Sequence, residues 1–319
     1  MQEIRPADVR LSVKPVFVEL LHSAAYEGPC RVGQPEDLTP AKERCNGQVQ
    51  FRKWTEQLES ELAPEIQLLE PTSIRWHDDW HIPPKQIARL QEDINEADLV
   101  LVHGGLAQYP AITIARRFKK PLAMVGTVAT VDVAAYLRSH GLEAYAPPDF
   151  DEFNRLADLL WVRKAIETTR ILHAIEGDII PVGVVSTIRD PDDLHERFGT
   201  RHVAVPAEQL LEQMQTLPET NQSEAEELTD NLIDEAEQNH MEREDLLPSA
   251  RFYIAAREMM QKLECNAFTI PCFELCVRQV PERHRVTFCL AHSLLKDRGY
   301  PAACEGDLNV LMAMAILMY

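Results

Sequence analysis

Asp98–His103 (DLVLVH), an apolar run closed by Gly104-Gly105, constrains this chain more than any other segment. A strand with one wet face alternates apolar and polar residues. A continuous run suits a parallel strand buried on both faces, and parallel strands need crossover connections. The flanking sequence supplies them. Leu11–Glu19 (LSVKPVFVE) reads as a strand, followed by a long amphipathic segment from Pro40 to Leu62 and a short strand at Glu65–Leu69. Pro84–Asn95 and Pro110–Phe118 have helical spacing, and Pro121–Val125 (PLAMV) is the next strand. This alternation predicts βαβ units in an open, doubly wound, mainly parallel sheet.

The pattern then restarts. A long helix over Asp151–Ala174 leads into a strand at Asp178–Val185, with helices at Arg189–Phe198 and Pro206–Leu217 around a strand at Arg201–Val205. Ser249–Leu263 reads as a helix, Asn266–Pro271 (NAFTIP) as a strand and Val286–Arg298 as a helix. The fold class is therefore α/β, with two doubly wound domains at 1–174 and 175–319. No fixed-period repeat is visible, which argues against a solenoid. Pro218–Asp245 holds eleven acidic residues. An interaction tail and a solvated helical hairpin both fit it, and the helical spacing of Leu228, Leu232 and Ile233 favours the hairpin. Leu308–Tyr319 (LNVLMAMAILMY) is apolar on nearly every face, so it is expected to be buried as a helix. No Gly, basic turn or polar tail follows it, and the natural protein is expected to continue.

Charge narrows the function classes. Lys+Arg 32 against Asp+Glu 51 leaves a net charge of −19, which a nucleic-acid backbone or an anionic membrane surface would repel. Met1–Arg10 has no apolar core to act as a signal peptide, and the longest apolar runs fall short of the roughly 20 residues of a membrane span. Seven Cys, an odd number with five after residue 260, fit reduced thiols better than a disulfide framework. A soluble cytoplasmic protein is expected.

The strongest chemical signal is Ala302–Asp307 (AACEGD), between a short strand and the apolar helix. Ligands of doubly wound sheets bind at the carboxyl ends of strands, so Glu305 is placed either as a hard oxygen ligand for a divalent cation or as a general base. Equally, Glu305 and Asp307 can both simply cap the following helix. Glu274 in Ile270–Cys276 (IPCFELC) also follows a strand. It either shares the metal or acid–base work, or is an exposed residue of a first helical turn. Cys272, Cys276, Cys289 and Cys304 invite a zinc reading, but C-x3-C is not a zinc-knuckle spacing and buried inert thiols explain them better. His77 and His81 in WHDDWH suit a metal or a sugar-binding loop, and His103-Gly104-Gly105 lacks the G-x-G-x-x-G of a dinucleotide site.

Taken together, NAFTIPCFELC at 266–276, AHSLLKDRG at 291–299 and PAACEGDLNVLMAM at 301–314 resemble the L-fucose isomerase family, which is related to the L-arabinose isomerases. YEGPCRVG at 26–33 looks like that family's opening loop. The resemblance implies two α/β domains followed by a β-rich C-terminal domain that is absent here. It also implies a bound divalent metal, Mn²⁺ or another such as Mg²⁺, a monosaccharide substrate, and a homo-oligomer. Glu305 is then the first acidic metal ligand and a proton-shuttling carboxylate, and Arg31 and Glu274 contact the sugar. The second acidic ligand and a His ligand lie further downstream in the family.

The chemistry suits those residue types. Aldose–ketose interconversion passes through an enediol whose charge a cation stabilises while a carboxylate removes and returns the proton. Oxygen ligands favour Mn²⁺ or Mg²⁺ over zinc, which prefers thiolates, and the sequence gives no thiolate a place in this site. The rival classes are a non-catalytic sugar-binding protein, or inactive fragment of such an isomerase, and a thiol-based metal or redox protein built on the C-terminal cysteines.

Overall fold

The computed structural model describes residues 8–22, 35–77, 82–104, 106–126, 128–175 and 186–319. The chain divides into two compact units, one over 10–161 and one over 162–319 together with the first residues.

The 10–161 unit runs β1 (Leu11–Leu21), α1 (Pro40–Glu61), β2 (Ile66–Leu68), β3 (Thr72–His77), α2 (Pro84–Leu90), β4 (Leu99–Gly104), α3 (Gln108–Phe118), β5 (Leu122–Ala123), α4 (Val128–Ser139), β6 (Ala144–Tyr145) and most of α5 (Phe150–Glu167). The sheet order is β2-β1-β4-β5-β6, with β3 also on β1 and every pairing parallel. β1 serves two partners end to end, Leu11–Val13 against β2 and Val16–Leu21 against β3. The carbonyl of Val13 accepts from Leu69 N on that edge, so Pro15, two residues on, presents its missing N–H to the gap between β2 and β3. Lys14 fills the same gap. Fully buried, it donates to Glu70 O at 2.5 Å and Asp93 Oδ2 at 2.7 Å.

Both faces of this sheet are covered, as the apolar runs require. Val16, Val18, Val100 and Val102 pack beneath α2, α3 and α4, while Leu11, Val13, Leu99 and Leu101 meet Trp54 and Leu58 of α1 and Phe153 of α5. Gly104 at the end of β4 has φ +124°, and a Cβ there would lie 2.1 Å from Val18 O, so only glycine fits.

The 162–319 unit runs β7 (Arg170–Ala174), α6 (Pro191–Phe198), β8 (Arg201–Val205), α7 (Ala207–Gln215), α8 (Glu219–Glu235), α9 (Arg243–Lys262), β9 (Ala267–Ile270), α10 (Cys272–Val277), α11 (Val280–His284), α12 (Cys289–Asp297), β10 (Ala302–Cys304) and α13 (Leu308–Met318). Its parallel sheet has the order β10-β9-β7-β8. The chain moves from β7 to β8 on one side and returns to the other for β9 and β10, so a change of winding direction falls between β7 and β9. Leu172, Phe268, Ile270 and Ala302 face a core with α7, α9 and α12, and Ile171, Ala267 and Ala303 face α6 and α13.

Several expectations change. The helix expected over Asp151–Ala174 stops at Glu167, and Arg170–Ala174 is a strand hydrogen-bonded into the second sheet. The two compact units divide within α5, between Trp161 and Val162. The strand expected at Asp178–Val185 lies outside the described residues. The acidic stretch is helical through α8, which is tied to α9 by Arg257 Nη1 and Nη2 on Glu224 at 2.5 and 2.7 Å and by Arg243 Nε on Asp230 at 2.6 Å. α13 is not wholly buried. Leu308, Leu311, Met312 and Ala315 form its core face, whereas Ile316 and Leu317 are 50% and 86% exposed. Sheet geometry explains this, because a helix lying on one side of a sheet has only one stripe to bury.

Candidate functional site

Strand register builds the site. Cys304, the last residue of β10, lies opposite Ile270, the last of β9, so the chain leaves both strands at one level. Past β9, Pro271 turns into α10, with Cys272 first and Glu274 in its opening turn. Past β10, Glu305 (φ +66°) and Gly306 (φ +65°) make a left-handed turn, after which Asp307 opens α13. Gly306 N donates to Ile270 O at 3.1 Å and fastens this turn to the end of β9. A glutamate in the left-handed region costs on the order of 1 kcal/mol and persists only where its surroundings impose it.

The two acidic residues of the motif then part company. Asp307 caps its own helix, accepting from Asn309 N at 3.0 Å and Val310 N at 3.3 Å. Leu308 N is met by Thr187 Oγ1 at 3.0 Å. The Glu305 carboxylate instead reaches across the strand ends, where its Oε2 accepts from Phe273 N, in the first turn of α10, at 2.9 Å. Glu305 is half-buried at this rim.

Sulfur sits beside that carboxylate. Cys304 Sγ is 3.5 Å from Glu305 Oε1 and 3.1 Å from Cys272 Sγ. The expectation that thiols are absent from the surroundings of Glu305 is therefore overturned, because the β9–β10 register places residues 272 and 304 side by side. The hydrogen bond between the two thiols pulls Cys304 below its ordinary pKa, against burial. The same bond and then burial push Cys272 well above its own.

His292 of α12 completes the group. It is buried, its Nδ1 bonds Phe288 O at 2.8 Å, and its Nε2 has no well-aligned hydrogen bond among the described residues. Burial lowers its pKa, while the backbone carbonyls of Phe288 and Ala303 act against that shift. The ligand atoms of Cys272, His292 and Cys304 all lie within 4.8 Å of one another, a grouping of metal-ligating type. Among the described residues, no other three His, Cys, Asp or Glu side chains gather so closely.

The remaining candidates fall elsewhere. Cys276 and Cys289 are exposed and outside the group, so the four-cysteine set is corrected to two cysteines and a histidine. Glu274 is half-buried in the first turn of α10 and does not join the three ligand atoms. Arg31 and His81 lie outside the described residues. His77 belongs to the end of β3, where Trp76 is buried and stacks on Tyr109 with ring centroids 5.9 Å apart. His292 is not among the sequence candidates, although the buried spacing of Ala291, His292 and Leu295 on α12 marks it as an imidazole facing the core. No helix is long and apolar enough to cross a membrane among the described residues. Compared against protein-family models and against curated proteins, the chain matches none.

Proposed function

We propose that the chain is a ketol isomerase of the L-fucose isomerase type, interconverting a monosaccharide aldose and ketose through an enediol. One observation carries the reading: Glu305 stands at the carboxyl end of β10, beside the end of β9, on left-handed backbone that its neighbours impose. The sequence resemblance over 266–314 supports it. In this reading Glu305 removes the proton from C2 of the aldose and returns it to C1 of the enediol, while a hydroxyl proton moves from O2 to O1. The two sugars are isomers, so nothing is consumed. Glu274 and Arg31 contact the substrate, each unit is doubly wound, and the protein is a cytoplasmic homo-oligomer.

A divalent cation, when bound, stabilises the enediol charge as a Lewis acid. Of the Mn²⁺ ligands that the resemblance implies, Glu305 is the one this chain carries. The other donors gathered beside it are two sulfurs and an imidazole, which suit zinc better than Mn²⁺ or Mg²⁺. Proton transfer is therefore assigned to the carboxylate itself.

Incubation with L-fucose or L-arabinose in D₂O, with and without added Mn²⁺, tests this by NMR. Deuterium is expected at C1 of the ketose and, through the reverse reaction, at C2 of the aldose, with loss of exchange in Glu305→Gln. Exchange at an unchanged rate in that variant overturns the role of Glu305. Saturable sugar binding without exchange favours the non-catalytic sugar-binding alternative.

A further inference from the structure

We propose that Cys272, His292 and Cys304 bind a thiophilic divalent cation of the zinc class. The claim goes beyond the isomerase reading and does not rest on it. Three observations support it. The donor set, two sulfurs and one imidazole nitrogen within 4.8 Å with a carboxylate oxygen 3.5 Å from one of the sulfurs, matches the ligand types that zinc selects. His292 Nε2 is buried without a well-aligned hydrogen bond among the described residues, and with the proton on Nδ1 it is a polar atom that a cation would satisfy. Its Nδ1 is bonded to a backbone carbonyl, the outer contact that orients a metal-ligating imidazole.

The thiol pair is not yet at ligand spacing. Tetrahedral Zn–S bonds of about 2.3 Å hold two sulfurs about 3.7 Å apart. Binding therefore spreads Cys272 and Cys304 from 3.1 Å by roughly half an ångström. Cys304 is half-buried at the strand end, which gives the ion a way in and the sulfur room to turn. The ligand spacing 272, 292, 304 matches no linear knuckle, because the three donors come from a helix start, a helix interior and a strand end.

Cobalt(II) is the probe. Fully reduced protein titrated with Co²⁺ is expected to develop a thiolate-to-cobalt charge-transfer band that saturates at one equivalent, with Zn²⁺ displacing the cobalt. Cys272→Ser and Cys304→Ser are each expected to abolish the band, and His292→Gln to weaken binding at least tenfold. Cys276→Ser and Cys289→Ser leave it intact. A band absent from the wild type, or one that survives Cys304→Ser, overturns the proposal. Should the buried variants fail to fold, alkylation mapping of wild-type protein serves: Zn²⁺ is expected to protect Cys304 while exposed Cys45 reacts regardless, and equal labelling of Cys304 with and without zinc overturns it. Where the wild type develops the band, Glu305→Gln is expected to keep it, so failure of the metal site and failure of the isomerase reading are told apart.

Discussion

The carboxylate of Glu305 accepts the backbone N–H of Phe273 at 2.9 Å, joining the turn after β10 to the first turn of the helix after β9. One side chain thus fills a structural position and stands where a reaction would need it. The two roles separate by substitution. Glu305→Ala removes the acceptor and is expected to cost about 1–2 kcal/mol in urea unfolding. Glu305→Gln keeps an oxygen in place and is expected to stay within about 0.5 kcal/mol of the wild type. A Gln variant as unstable as the Ala variant would show that charge, not an acceptor atom, holds α10.

His173 and His202 meet across β7 and β8, Nδ1 to Nε2 at 2.9 Å. Burial first, then the nearby His202 charge, brings the His173 pKa down to about 3. An unfolded histidine titrates near 6.5, so between pH 6.5 and 3 the unfolded chain holds a proton that the folded chain refuses. Stability is therefore fully present above pH 6.5 and falls as the pH drops through that window. The loss reaches on the order of several kcal/mol at its acid end. His173→Leu is expected to flatten this part of the curve, measured as urea midpoints at pH 7 and pH 4.5. An unchanged difference between those two midpoints would exclude His173 as the cause.

The Arg257 guanidinium is nearly buried, and its two-pronged contact with Glu224 fixes α8 on α9. Glu224→Gln leaves that cation half-paired and is expected to cost about 1–2 kcal/mol, since Glu224 is itself partly in water. The guanidinium is dry but the carboxylate is partly in water, so part of the loss is expected to persist in 1 M NaCl. A difference that vanishes in salt would reduce the pair to a surface contact.

α13 offers a two-sided comparison. Leu311 is fully buried and Leu317 is 86% exposed. Leu311→Ala is expected to cost about 2–4 kcal/mol by leaving a cavity, and Leu317→Lys to change stability by less than about 0.5 kcal/mol. Denaturant melts of the two single variants decide it, and a large loss from Leu317→Lys would mean that this face is covered in solution.

Much of the architecture is legible because it is periodic. DLVLVH, LSVKPVFVE and NAFTIP are strands for the reason their residues suggest, with dry faces and alternate side chains sent to opposite cores, whereas RHVAV is a partly exposed edge strand. Reading fails where local pattern and tertiary environment disagree. Arg170–Ala174 continues an apolar helical pattern, and only its ladders with β8 and β9 make it a strand. Of WHDDWH, Trp76 and His77 end β3, and residues 78–81 lie outside the described residues. At the site, the half-buried rim position of Glu305 follows from the strand-end rule, while its partner Phe273 does not. The thiol pair is illegible for a further reason: sulfurs 32 positions apart touch only through strand register, which no spacing rule encodes.

That register also sets an order of assembly. β9 reaches β7 only after the long excursion through α7, α8 and α9, and β10 is laid on the edge last. Such distant pairings are slow to close during folding. A growing polypeptide therefore carries Cys272 for some time before its companion sulfur arrives. Shielding of these two thiols from a maleimide during refolding would time the completion of the second sheet.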